Sequence, residues 1–133
     1  DVYKRQVSIV HAESCPSMSD LKQNNLHGFN LYDIDNGTRI QDPKAIHDYE
    51  YNARAFGLAE WASDAPEGEA HCYYLNQDPN KGYGRAYLAK TNLVDDGSDA
   101  WLNSKKQQCK VTDDNCQCTV NDAVCRFIAP SKQ

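Results

Sequence analysis

Arg54-Ala55-Phe56-Gly57-Leu58-Ala59-Glu60-Trp61-Ala62, a break at Asp64-Ala65-Pro66-Glu67-Gly68, and Glu69-Ala70-His71-Cys72-Tyr73-Tyr74-Leu75 together decide the fold. In the first run Phe56, Leu58 and Glu60 alternate with Ala55, Ala59 and Trp61, the period of an extended strand with two unlike faces. The second is rich in aromatic residues, which favour a pleated surface. A loop over residues 76–84, containing Pro79, Gly82 and Gly84, leads into a third run over 85–91. There Ala86, Leu88 and Lys90 alternate with Tyr87 and Ala89. Three consecutive strands with turn residues between them read as an antiparallel meander.

Working outward, residues 26–34 alternate in the same way and run into Asp35-Asn36-Gly37-Thr38, where Asn-Gly is a strong hairpin signal. Arg39-Ile40 then starts a return strand that Asp42-Pro43 ends. Ser17 is a candidate N-cap for a short helix over 17–22, with Asp20 three residues on, where its charge suits a helix start. Residues 44–51 are compatible with one or two helical turns. After the meander, Asp95-Asp96-Gly97 makes a turn, Trp101-Leu102 anchors the last segment to the core, and residues 124–129 read as a final strand. No repeat or linker divides the chain. The expectation is one α+β, β-rich domain over 13–133: a single antiparallel sheet of four to six strands, a short N-terminal helix and a disulfide-fastened C-terminal tail.

The start of the chain is read differently. Residues 1–6, Asp-Val-Tyr-Lys-Arg-Gln, match in every position the translated mosaic-end adaptor of a sequencing transposase, and are set aside from the fold as a scar. The rival reading is a processing site at the dibasic Lys4-Arg5. Val7-Ser8-Ile9-Val10-His11-Ala12 then looks like the remnant of an export signal, with small or aliphatic residues where a signal peptidase cuts and Glu13 as the first mature residue. The alternative is a buried strand.

Six cysteines in 133 residues agree with export, since structural disulfides persist in oxidising compartments. A periplasmic or secreted protein is expected, with Cys15, Cys72, Cys109, Cys116, Cys118 and Cys125 all oxidised. Of fifteen connectivities, Cys15 with Cys72 is favoured, the four tail cysteines pairing among themselves. The core is thin, with mean hydropathy −0.79, one Met and three Phe against eight Tyr, so cross-links should matter to stability. Net charge −5 and a pI of about 5.2 argue against nucleic acid. No apolar run approaches a membrane span.

Chemistry-bearing patterns are sparse. The tail spacing of Cys109, Cys116, Cys118 and Cys125 lacks the pair spacing of zinc ribbons and the Cys-x-x-Cys of redox motifs, so no metal or cofactor is implied. Asp95-Asp96-Gly97-Ser98-Asp99 lacks the spaced ligands and closing Glu of an EF-hand. No Gly-x-Ser-x-Gly marks a nucleophile. Glu67, Glu69 and His71 recur at two-residue spacing, which places Glu69 and His71 on one face of a strand. That is either an acid–base pair or a solvated strand edge. Tyr73, Tyr74, Tyr83 and Tyr87 give the meander unusual aromatic weight, as core or as a face for a sugar or protein partner. Adjacent Tyr73 and Tyr74 must point to opposite faces, so at most one of them is core.

Cys15-Pro16, the strand ending in Trp61, Gly68-x-x-x-Cys72-Tyr73-Tyr74, Trp101, Cys109 and Cys125-Arg126-Phe127 resemble, in order, a group of small exported proteins of unknown function frequent in Legionella and related gamma-proteobacteria. The extra Cys116 and Cys118 depart from that pattern. The resemblance implies export and a small β-rich fold, and brings no catalytic residues. The expected function is a binding or interaction module of the cell envelope or a host–microbe interface. A small hydrolase using carboxylates and histidine, and a structural disulfide domain of a larger assembly, are the alternatives.

Overall fold

A computed structural model describes residues 12–63 and 69–130. The proposed scar, all but the last residue of the signal remnant, and the turn carrying Glu67 lie outside the described residues. The meander is present: β3 (Ala53–Ala62), β4 (Glu69–Asn76) and β5 (Ala86–Thr91), with β4 antiparallel to both neighbours. Strand β2 (Asn30–Asp33) pairs with β5, and β7 (Asn115–Cys118) with β3. The resulting sheet has five strands in the order β2-β5-β4-β3-β7.

The expectation of a single sheet is overturned. Strands β1 (Ala12–Ser14), β8 (Arg126–Ile128) and β6 (Val94–Asp95) form a second antiparallel sheet of three strands, in the order β1-β8-β6. Arg39 bridges to Tyr32 outside β2, and Leu102 bridges to Gln117 outside β7. Phe127 lies opposite both Glu13 and Asp95. Its ring is fully buried, 5.1 Å from that of Trp101, so this small sheet is held by core packing as well as by its ladder.

Two local readings are also corrected. Strict alternation put Phe56 and Leu58 on one face, but β3 carries a bulge between them. Phe56 therefore lies opposite Tyr74 and Leu58 opposite Tyr73, residues that face opposite ways. Asp42-Pro43, read as the end of a return strand, instead starts a helix, α2 (Pro43–Asn52), as N-cap and first residue. The return strand shrinks to the Arg39 bridge. Its turn is wider than a two-residue hairpin, with Asp33 N–H donating to Thr38 O and Gly37 at φ +71.

Helix α1 (Met18–Lys22) forms where expected: the Ser17 hydroxyl accepts from Asp20 N–H at 3.1 Å. Its last residue reaches the far end of α2, where the Lys22 ammonium donates to the carbonyls of Glu50 at 2.8 Å and Tyr51 at 2.8 Å, and to that of Ala53. A cation there satisfies carbonyls that the helix leaves open. The core lies under the inner face of the five-stranded sheet, where Leu31, Ala59, Cys72, Tyr74 and Leu88 meet Leu21, Tyr49, Leu93, Trp101 and Phe127. Three disulfides, Cys15–Cys72, Cys109–Cys116 and Cys118–Cys125, leave no cysteine free. They mark an oxidising compartment. Among the described residues no helix is long and apolar enough to cross a membrane.

Candidate functional site: the outer face of the five-stranded sheet

The register across β7, β3 and β4 sets Gln117, Glu60 and His71 side by side. The two-residue period of β4 then puts Glu69 and Tyr73 on either side of His71 along the same face. Glu60 is the centre. Its Oε1 accepts from His71 Nδ1 at 3.1 Å and from the Tyr73 hydroxyl at 3.1 Å. Its Oε2 accepts from Asn115 Nδ2 at 3.1 Å and Gln117 Nε2 at 3.3 Å. Four donors on one carboxylate, two to each oxygen, fill its lone-pair sites.

His71 completes the network by donating its other ring nitrogen, Nε2, to Glu69 Oε1. With a carboxylate at each nitrogen, the hydrogen bonding assigns the imidazolium form. The electrostatics agree. The His71 bond, outweighing the opposing effect of burial and helped by Asn115 and Gln117, holds Glu60 down at about 2 against an ordinary 4.5. Burial disfavours charge on His71, but the bonds and charges of Glu60 and Glu69 together overcome it and raise its pKa. Burial and the Glu60 charge push the Tyr73 hydroxyl up, so it remains a donor. The side chains of His71, Glu60 and Glu69 are only 13 %, 18 % and 26 % exposed. The cluster is thus set into the surface rather than standing above it.

Beside this network runs a stripe of rings. Tyr32 and Tyr87, directly opposite on β2 and β5, stack with centroids 5.8 Å apart and an interplanar angle of 22°. Tyr87 in turn lies 4.8 Å from His71 and 5.5 Å from Tyr73, and Tyr73 lies 5.3 Å from Tyr83. Tyr83 belongs to the loop after β4, and it can lie down on the sheet only because residue 57 has no side chain. A Cβ on Gly57 would stand 2.8 Å from Tyr83 Cε1. All four tyrosines remain half-buried.

Of the residues singled out from sequence, Tyr73, Tyr83 and Tyr87 come together in this stripe, and Glu69 and His71 meet as their spacing implies. Tyr74 goes to the core: it is fully buried, and its hydroxyl donates to Pro16 O. Glu60, Asn115, Gln117 and Tyr32 were missed. Glu60 is visible in the strand pattern, but its partnership with His71 depends on cross-strand register, which no local pattern encodes. Elsewhere, Asp95 and Asp96 accept from the backbone N–H groups of Gly97 and Ser98, a polar turn. Among the described residues no cluster of His, Cys, Asp or Glu is placed to hold a metal ion.

The stripe ends in a groove of about 500 Å³ at the β2 side, lined among others by Asn30, Tyr32, Glu69, Thr91 and Asn92. Tyr32 links the groove to the stripe, and Glu69 links it to the hydrogen-bonded network. No family model, curated protein or solved structure matches this chain.

Proposed function

We propose that this chain is a periplasmic or secreted binding module of the cell envelope or a host–microbe interface, and that it recognises its partner through the outer face of the five-stranded sheet. The single observation that carries the reading is a stripe of half-buried tyrosines seated on a hydrogen-bonded network in which Glu60 and His71 are saturated by their neighbours. Tyrosine offers large, stiff contact area with a polar tip, a combination enriched at interaction surfaces. The network beside the stripe holds Tyr73 by its hydroxyl and sets His71 against Tyr87 before any partner arrives, which lowers the ordering cost of binding.

The same saturation counts against the hydrolase alternative. A general base must be able to take a proton near neutral pH and must reach the group that gives it. Glu60, held at about 2, is too weak a base to take a proton near neutral pH, and His71 has both nitrogens engaged, which leaves only the second oxygen of Glu69 open to such a role among the described candidates. The disulfides and the resemblance to small exported proteins support the compartment.

The test is a binding screen of the full oxidised chain against a glycan array and solubilised envelope proteins. Tyr73→Ala and Tyr87→Ala should weaken a hit by about tenfold or more, the scale of a residue that matters to an interface. Binding that ignores both substitutions would overturn the proposal.

A further inference from the structure

The groove at the end of the stripe has its own chemistry. Tyr32 sits on the edge strand β2 and gives one ring face to Tyr87. On its other side stands Arg39, its bridge partner, whose guanidinium is drawn along the strand to Asn30, and among the described residues no second ring lies there. Glu69 commits Oε1 to His71, while its Oε2 makes no hydrogen bond within the described residues. Asn30 accepts from Arg39 through Oδ1 at 2.9 Å, which leaves its amide N–H groups as donors. Thr91, at the end of β5, adds a hydroxyl to the lining. One aromatic face, one carboxylate oxygen, amide donors and a hydroxyl therefore surround a space of about 500 Å³, within the ordinary range for a small-molecule site.

We infer that this groove binds a neutral carbohydrate, one sugar ring lying against Tyr32 and its hydroxyl groups bonding to Glu69, Asn30 and Thr91. This deepens the binding function proposed above and rests on it. A sugar ring presents apolar C–H groups on its face and hydroxyls around its rim, and the groove supplies the complement of both. Charge sets the class. Glu69 and Glu13 line the space, the Lys90 ammonium beside them is already paired with Glu13 and bonded to His27 O, and the Arg39 guanidinium at the rim is turned onto Asn30 Oδ1. Sialylated, sulfated or uronic sugars would bring their negative charge against the free oxygen of Glu69. A flat protein partner is a poorer match. Standard interfaces bury about 800 Å² a side around an apolar centre, whereas this is a small polar concavity.

The experiment is a titration of the isotopically labelled, oxidised full chain, followed by amide chemical shifts. The probes are neutral disaccharides (cellobiose, maltose, N,N′-diacetylchitobiose) and the anionic sialyllactose. At least one neutral probe should shift amides of β2 and β5 around Asn30, Tyr32 and Thr91. Tyr32→Ala and Glu69→Gln should each weaken it by about tenfold, and sialyllactose should bind more weakly than the neutral probe. Three results would overturn the inference: no shift from any neutral sugar up to about 20 mM, tighter binding of the anionic probe, or affinity unmoved by Tyr32→Ala. The two proposals fail separately. If an envelope protein binds in a Tyr87-dependent way while every sugar is silent, the carbohydrate inference falls and the recognition face stands. If no hit responds to any substitution in the stripe, both fall.

Discussion

Replacing Glu60 by glutamine keeps the shape of the side chain and removes its charge, and it should be among the most damaging substitutions on the outer face. An amide cannot accept from four donors. Whichever way the new amide turned, its N–H groups would meet either His71 and Tyr73 or Asn115 and Gln117, and leave donors unpaired in a site that is largely buried. The distance between an ordinary glutamate at 4.5 and Glu60 at about 2 corresponds to about 3 kcal/mol of stabilisation of the folded state. An exposed ion pair would contribute only about 0.2–1 kcal/mol. The sign is specific. Because the folded-state pKa of Glu60 is depressed, its contribution is complete above about 4.5 and drains away as pH falls toward 2. The pKa of His71 is raised, so its contribution is complete below its unfolded value of about 6.5 and is lost as pH rises through its folded value. The cluster therefore stabilises the fold most between about pH 4.5 and 6.5. Urea unfolding of wild type and Glu60→Gln with the disulfides intact, at steps from about pH 2 to 8, measures this directly. Near pH 5.5 the variant should be less stable by about 3 kcal/mol, and the two curves should converge toward pH 2. A loss below about 0.5 kcal/mol at pH 5.5, no larger than a typical surface substitution, or curves that stay parallel from pH 5 to pH 2, would refute the reasoning.

Two further outcomes follow from the geometry. The Cys15→Ser, Cys72→Ser double variant opens a loop of 57 residues and should lose about 4 kcal/mol on the chain-entropy model, whereas opening the seven-residue Cys109–Cys116 loop should cost about 2 kcal/mol; equal losses in urea unfolding would show that strain or residual structure dominates instead. Gly57→Ala should displace the Tyr83 ring and cost about 1–3 kcal/mol, and the same substitution in a Tyr83→Ala background should cost less, the remainder coming from the Tyr73 carbonyl oxygen 3.2 Å from the new Cβ; a double-mutant cycle with no coupling would show that the ring does not rest on Gly57.

What could be read from the sequence followed the range of the interaction. The meander was legible because alternation and turn residues are local, and so was the α1 cap, since Ser17 and Asp20 are three residues apart. The opposite placement of Tyr73 and Tyr74 needed only the period of a strand. The start of α2 was written in Asp42-Pro43 but read as a strand end, because an Asx-Pro pair serves either purpose and residues 44–51 behind it were compatible with only one or two helical turns. The second sheet was hidden. It joins the beginning of the described chain to its end, through pairings such as Ala12 with Ile128 that no local pattern encodes. The Glu60–His71 pair was hidden for a related reason: a one-residue slip between β3 and β4 would put the two on opposite faces, and the bulge near Gly57 helps set the register that pairs them.

The order of the disulfides carries a consequence for biogenesis. Along the sequence each of the six cysteines pairs with a neighbour in chain order, Cys15 with Cys72, Cys109 with Cys116 and Cys118 with Cys125. A chain threaded N-terminus first into an oxidising compartment meets each native partner as the next thiol to emerge. A catalyst that simply joins consecutive thiols would therefore reach the native connectivity, leaving a proofreading isomerase nothing to reshuffle. Oxidative refolding of the released, fully reduced chain loses that temporal order, so scrambled pairings should accumulate there that vectorial delivery avoids.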